Sequence, residues 1–247
     1  MAENLSEWFS TGQGHYALSF EQDWFDHTVN DIFGYNALQL GLPDNNFLRN
    51  SRIPLRIIGA DLPRAQLRLC PDELPIACGS LDLLLLPHVL EFSERPHEIL
   101  REVERVLMPE GSLIVSAFNP HSLWGLHRRL VRRRSYPWCG RFISLSKLKD
   151  WLALLGFEVV SVSYGAYVPP FNKRRPIFDF IDRLGNRCWR TGGGIYLVHA
   201  IKRVPGMRLL KPSWNATLVK QLLPVAPKLN NTQSNSDASK FSDNFDK

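Results

Sequence analysis

Gly41 and Asp61 stand 20 residues apart, the spacing at which α/β dinucleotide folds set a loop glycine and a carboxylate against a bound nucleotide. An aspartate that caps a loop at a strand end would look the same. His88 lies in the run Pro87-His88-Val89-Leu90-Glu91. An imidazole with an ordinary pKa of about 6.5 there could orient a substrate or take its proton; a hydrogen-bonded structural histidine is the alternative. A third group is cationic. Arg128, Arg129, Arg132 and Arg133 recur at helical spacing, with Leu126, Leu130 and Val131 expected beneath them. Such a stripe suits an anionic substrate, an anionic lipid surface or RNA phosphates, or is a solvated face. The segment lacks the interleaved aromatics of a base-stacking platform, which weighs against nucleic acid.

The stripe also accounts for the charge of the chain. Its 247 residues carry 30 Lys+Arg and 24 Asp+Glu, a net +6. No acid occurs between Glu110 and Asp150, a stretch that contributes +8 and leaves −2 for everything else. With 44% hydrophobic and 22% charged residues the composition is that of a globular protein with a sizeable core. The longest apolar run, Leu83-Leu84-Leu85-Leu86-Pro87, falls far short of the roughly 20 residues a membrane span needs. The N-terminal residues include Glu3 and Glu7, with neither a basic nor an apolar signal region, so a cytoplasmic location is expected. Cys70, Cys78, Cys139 and Cys188 form no C-x-x-C pair; reduced, mostly buried thiols are expected, without zinc or a disulfide framework.

Short apolar runs predict strands at 36–40, 55–60, 81–86, 112–118, 157–164 and 195–202, with a weaker one at 66–70. Helical periodicity predicts helices at 20–33, closed by Gly34, at 96–108, with Ser93 or Glu94 at its start and Pro96 in its first turn, and at 144–155, closed by Gly156. Asn119 with Pro120 reads as the N-cap and first turn of a further helix. Strands apolar on both faces alternating with helices indicate an α/β fold around a largely parallel sheet, whose ligands sit at the carboxyl ends of the strands. Residues 1–204 are expected to form the main domain, with an N-terminal helical segment at 1–35 and a basic insertion at 119–143. A loosely packed arm is expected at 205–229 and a disordered tail at 230–247.

Several motifs occur together in order: Glu73-Leu74-Pro75-Ile76, Leu81-Asp82-Leu83, His88-Val89-Leu90-Glu91 and Arg105-Val106-Leu107-Met108-Pro109-Glu110-Gly111. Their order and spacing resemble the type-11, ubiquinone-methylase-like group of class I S-adenosylmethionine-dependent methyltransferases. The resemblance implies a Rossmann-like sheet, mostly parallel with an antiparallel terminal strand and helices on both faces. It implies S-adenosylmethionine as cofactor, held by Gln39, Gly41, Asp61, Asp72, Glu73 and Leu74. Asp61 would accept the ribose hydroxyls, Asp72 or Glu73 would stand near the adenine, and His88 would lie over the transferred methyl group.

The chain departs from the family at the first loop. In Leu38-Gln39-Leu40-Gly41-Leu42-Pro43 a glutamine replaces the usual acid and a proline the second glycine, so a backbone donor is lost and the loop must follow another path. Asn119, His121, Trp124, Arg129, Arg132 and Arg133 fall by position on the substrate side. The acceptor is expected to be a small molecule or lipid-like, and anionic, with peripheral contact to an anionic membrane. The degraded glycine loop leaves a catalytically silent binding module as one alternative, and the arginines leave an RNA-directed methyltransferase as another.

Overall fold

The computed structural model describes residues 5–62, 65–131, 135–169 and 191–204. The expected arm and tail, Arg132, Arg133 and Cys188 lie outside these. The element order begins with helices α1 (Leu5–Phe9) and α2 (Gly12–Asn30), then strands β1 (Asn36–Leu40), β2 (Leu55–Ala60), β3 (Leu67–Arg68) and β4 (Leu81–Pro87). Helix α3 (Pro96–Val106), strand β5 (Leu107–Phe118), helices α4 (Leu123–Val131) and α5 (Leu145–Leu154), and strands β6 (Phe157–Gly165) and β7 (Ile195–Lys202) follow.

The seven strands form one sheet in the order β3-β2-β1-β4-β5-β7-β6. All neighbours from β3 to β5 are parallel, while β7 runs antiparallel between β5 and β6. Strand β4, Leu-Asp-Leu-Leu-Leu-Leu-Pro, lies in the middle and is buried almost throughout, as its unbroken apolar run requires. One face of the sheet packs Leu38, Leu84 and Val115 against Ile99, Leu100 and Val103 of α3 and Leu148 and Leu152 of α5. The opposite face packs Ala37, Leu83 and Ile114 against Trp8 and Phe9 of α1 and Ala17, Phe25 and Val29 of α2. Helices thus cover both faces.

Four local features differ from expectation. The first long helix begins at Gly12 rather than Phe20, because the Thr11 hydroxyl accepts the Gly14 amide and caps it. It stops at Asn30, leaving Phe33 69% exposed. Helix α3 starts after Arg95, with Pro96 in its first turn, and runs straight into β5. A register shift between Leu81 and Leu83 then takes up residues 108–111, with Glu110 in a left-handed conformation. Asn119 does not cap α4: its Oδ1 accepts the His121 amide, and the Ser122 hydroxyl accepts the Gly125 amide as the true cap. Finally, Cys70, Cys78 and Cys139 are free but exposed, not buried, each lying in a loop between elements.

The first two connections in the sheet carry no helix among the described residues: 41–54 join β1 to β2, and 61–66 join β2 to β3. Helical crossovers occur only from β4 onward, so the walls at the carboxyl ends of β1 and β2 are built from loops.

Candidate active site

A cavity of about 930 Å³ opens at the carboxyl ends of β1, β2 and β4. Gly41, Leu42, Pro43 and Asp44 enter it from the loop after β1, Asp61 and Leu62 from β2, and Pro71, Asp72 and Glu73 from the loop after β3. Pro87, His88 and Val89 come from the end of β4; Phe92, Tyr136 and Leu5 complete an apolar side. The size is that of a cofactor-sized pocket. Gly41, Asp61, Asp72 and Glu73, far apart in sequence, therefore share one wall.

Gly41 is fixed there on two counts. Its φ is +89°, and a Cβ at this position would lie 2.8 Å from Val89 Cγ2, closer than any side chain tolerates. Leu42 and His88 also adopt left-handed backbone, at φ 47° and 52°. Three such residues meet at the seam between the β1 and β4 loops, where each costs on the order of 1–3 kcal/mol for a non-glycine and is held by the surrounding bonds.

The first of those holds is Gln39. It does not line the cavity: it is fully buried, and its amide organises the loop beyond it. Nε2 donates to the carbonyl oxygens of Gly41 at 3.1 Å, Leu42 at 3.2 Å and Asn45 at 2.7 Å. Oε1 accepts the Phe47 amide at 2.9 Å. Its expected contact with the cofactor is thus corrected to a supporting role, because every polar atom of the side chain is engaged within the protein. Leu74 is corrected likewise. Its side chain sits in the core at 5% exposure, its amide donates to Glu102 Oε2 at 3.0 Å and its carbonyl accepts from Arg105 Nη2 at 2.9 Å. Arg105, hydrogen-bonded to Glu102 in turn, holds that carboxyl below its usual range. The pair pins the chain that carries Asp72 and Glu73.

His88 is the second hold and the largest correction. The residue borders the cavity, but its ring is completely buried between two buried carboxylates. Nδ1 lies 2.8 Å from Glu91 Oε2 and Nε2 lies 2.5 Å from Glu21 Oε1. Glu91 Oε1 also accepts the Phe118 amide. Burial alone would lower the imidazole pKa, but the two carboxylates outweigh it and raise it to about 10. An imidazolium so held has no free lone pair, so it cannot take a proton from a substrate. Burial pushes the Glu91 carboxyl up, against the pull of His88. Glu21 was not anticipated. A signal existed: Ala17, Glu21, Phe25 and Val29 repeat every four residues along the buried stripe of α2, so the acid had to face a partner in the core.

Of the expected substrate-side residues, the four that are described, Asn119, His121, Trp124 and Arg129, do not line the main cavity. Asn119 is buried, its Nδ2 donating to the carbonyls of Thr191 and Gly193 at 2.8 and 2.9 Å. With His121 it borders a separate cavity of about 420 Å³ that also takes in Ser144, Lys149, Tyr164 and Thr191. Trp124 is a core residue, 1% exposed, whose Nε1 donates to Val168 at 2.7 Å. Arg129 is exposed on α4. Leu126 and Leu130, expected beneath the arginines, are themselves 51% and 76% exposed, because α4 turns Trp124 and Gly125 inward instead.

The lining of the main cavity is acidic: Asp44, Asp61, Asp72, Glu73, Glu94 and Glu98 stand against Arg95, which is itself paired with Glu98. Asp61 Oδ1 accepts from Arg68 Nε at 3.0 Å across an exposed pair. Carboxylates at the ends of β2 and β3 are acceptors for a hydroxylated, amino-bearing cation. This set of acceptors therefore fits S-adenosylmethionine, with its ribose diol and its positive charge. Among the described residues no group of His, Cys, Asp and Glu is placed to hold a metal ion, and no helix is long and apolar enough to cross a membrane.

Comparison with known proteins agrees with this geometry. A family model described as a methyltransferase domain, of type 11, matches residues 49–115. The chain is 36% identical over 159 residues to the uncharacterized protein YafS of Escherichia coli K12, covering 63% of each. It is 24% identical over 148 residues to a malonyl-[acyl-carrier protein] O-methyltransferase of Laribacter hongkongensis, covering 59% of this chain and 50% of that one. The chain thus spans less than two thirds of the length of these curated relatives. Among solved structures, an S-adenosylmethionine-dependent methyltransferase from Thermotoga maritima superposes with a TM-score of 0.59 at 18% identity, over 76% of this chain and 90% of that one. One from Archaeoglobus fulgidus gives 0.54 at 16%, over 75% and 94%. At those identities the structures speak for the fold alone. Sheet order and motif order agree with the match of residues 49–115 to a methyltransferase domain and with the fold of the solved S-adenosylmethionine-dependent methyltransferases.

Proposed function

We propose that the protein is a methyltransferase that binds S-adenosylmethionine in the main cavity and methylates a small-molecule or lipid-like acceptor. The observation that carries this reading is the common wall formed by Gly41, Asp61, Asp72 and Glu73 at the carboxyl ends of three adjacent strands. In this reading Asp61 holds the ribose hydroxyls, Asp72 and Glu73 face the adenine end, and the close seam at Gly41 shapes the path of the chain beside the cofactor. When bound, the cofactor supplies a sulfonium methyl group open to in-line displacement, a reaction governed mainly by positioning.

Leu5, Val89, Phe92 and Tyr136 form the apolar side, where the rings of Phe92 and Tyr136 lie 5.0 Å apart. These residues exclude water around an acceptor and favour one with an apolar body. The buried imidazolium of His88 cannot serve as general base, so the acceptor enters with its nucleophile already deprotonated or loses its proton to a lining carboxylate or to solvent. Arg128 and Arg129 do not line this cavity, so the pocket offers no contact of theirs to an anionic acceptor.

Isothermal titration calorimetry of the full chain with S-adenosylhomocysteine should give a saturable heat. Asp61→Asn should weaken it about tenfold or more, the scale of one charge-assisted hydrogen-bond pair. Absence of heat and of thermal stabilisation at millimolar ligand would overturn the cofactor assignment and support the silent binding module. Native mass spectrometry of the purified protein gives an independent check through the mass of any retained nucleoside.

A further inference from the structure

The cavity of about 420 Å³ bordered by Asn119 and His121 lies outside the site described above, and its chemistry has the opposite sign. The main cavity is walled by carboxylates; this one has none among the described residues. Its polar lining comes from four parts of the chain. His121 follows β5, Ser146 and Lys149 lie near the start of α5, Tyr164 stands at the end of β6, and Thr191 precedes β7. Each of these side chains can donate a hydrogen bond. Lys149 is exposed and has no ion pair among the described residues, and its neighbour Asp150 does not border the cavity.

The wall behind these donors is fixed. Asn119, 3% exposed, donates from Nδ2 to the Thr191 and Gly193 carbonyls and accepts the His121 amide on Oδ1 at 3.0 Å. One buried amide thus clamps the loop that carries His121 to the segment that carries Thr191. The Ser144 hydroxyl, at the start of α5, makes no capping bond to the helix and meets only the Ser146 hydroxyl, at 3.4 Å. Burial raises the Tyr164 phenol above its ordinary pKa, which keeps it a neutral O–H donor. Donors without a carboxylate exclude a cation as the matching ligand and call for an anion. A planar carboxylate is best met by the fork of an arginine, whereas a lysine point charge among separate hydroxyls suits an oxyanion approached from several sides.

We propose that this second cavity binds a phosphate group, free or carried on a small organic body, with Lys149 as its counter-charge and His121, Ser146, Tyr164 and Thr191 donating to its oxygens. The volume leaves room for a body beside the phosphate. The site requires nothing of the methyltransferase reading, since none of these residues lines the main cavity. With the cation exposed, binding is reversible and weakens as salt is raised.

The test is calorimetric titration of the full chain with inorganic phosphate and, separately, with glycerol 3-phosphate. Both should bind saturably, sulfate should compete, and acetate should compete far less. Tighter binding of glycerol 3-phosphate would assign the site to a phosphate carried on an organic body, and equal or weaker binding to the free anion. Lys149→Ala should weaken both ligands about tenfold or more, the scale of one charge-assisted hydrogen bond. Thr191→Val, which keeps the charge and nearly the shape, should weaken them severalfold. Both side chains are exposed, so each variant should match the parent in urea denaturation, which establishes that it is folded. The proposal is overturned if neither ligand saturates at tens of millimolar, if acetate competes as well as sulfate, or if Lys149→Ala binds phosphate as the parent does. Phosphate binding by a parent that ignores S-adenosylhomocysteine would retain this site and refute the methyltransferase reading.

Discussion

Gln39→Glu is expected to destabilise the protein by about 3 kcal/mol at neutral pH, the scale of a buried polar group or charge left without partners. Binding of S-adenosylhomocysteine should weaken by about a hundredfold or more. The change exchanges one amide NH₂ for an oxygen and brings in the acidic character that the family usually carries at this point. Here it would set a carboxylate against the carbonyl oxygens of Gly41, Leu42 and Asn45, now 2.7 to 3.2 Å from a donor. An ionised carboxylate has no hydrogen to offer them, and at 0% exposure bulk solvent does not reach the site. The loop that would move carries Gly41 and Leu42, both in left-handed conformation and both in the cavity wall. That connection turns a local bonding defect into a loss of ligand.

The pH dependence separates charge from simple loss of bonds. A buried carboxyl facing acceptors has its pKa raised on folding, so its penalty grows as pH rises above the unfolded value and fades as pH falls below it. The stability deficit of Gln39→Glu, read by urea denaturation, should therefore shrink toward about pH 4.3, the ordinary carboxyl range. Gln39→Leu, which also removes the bonds but adds no charge, should show a deficit independent of pH. A Gln39→Glu protein that melts with the parent at neutral pH would refute the assigned role.

The other large effect belongs to His88. Its imidazolium is the shared partner of two fully buried carboxylates, Glu21 and Glu91. Removing one partner of a buried ionic group costs about 3–5 kcal/mol, so His88→Gln should be destabilised on that scale or should fail to fold. Glu91→Gln, which leaves the His88–Glu21 pair in place, should be milder and keep the comparison readable. The folded pKa of His88, about 10, lies above the ordinary 6.5, so the proton stabilises the fold. That contribution is fully present below about pH 6.5 and is lost as pH rises through 10. Burial raises the Glu91 pKa as well, which adds to the same trend. Denaturation of the parent across this window should show falling stability, and the slope should flatten in a folded variant that lacks His88. A parent whose stability is flat from neutrality to pH 10 would contradict the buried imidazolium.

These two residues also mark the boundary between what could be read in the chain and what could not. Gln39 and His88 were both visible as chemistry, and both were expected against the ligand. Their partners decide otherwise: the carbonyls of a loop that bends back on Gln39, and a glutamate 67 positions away from His88. A side chain's type shows which bonds it can make, but not which groups the fold will place within reach. The same holds for Leu126 and Leu130. Helical spacing put them on one helix with Arg128 and Arg129, yet the side that faces the core was chosen by Trp124, whose indole finds the Val168 carbonyl 44 positions later.

By contrast, the strands, the order of their motifs and the pairing of Gly41 with Asp61 were legible from the sequence alone. Each depends on local rules: an apolar run of limited length makes a buried strand, and a glycine at a strand end marks a close turn. Motif order within a parallel sheet then sets which strand ends meet. Sequence by itself thus determined the fold class, the family resemblance and one wall of the cavity. Tertiary structure alone decided that Gln39, His88 and Leu74 support that cavity from behind, that Asn119 and Trp124 belong to other surroundings, and that α4 turns its leucines outward. The physical reason is range: periodicity and turn chemistry act over a few residues, whereas the partner of a buried polar group is brought in by the whole chain.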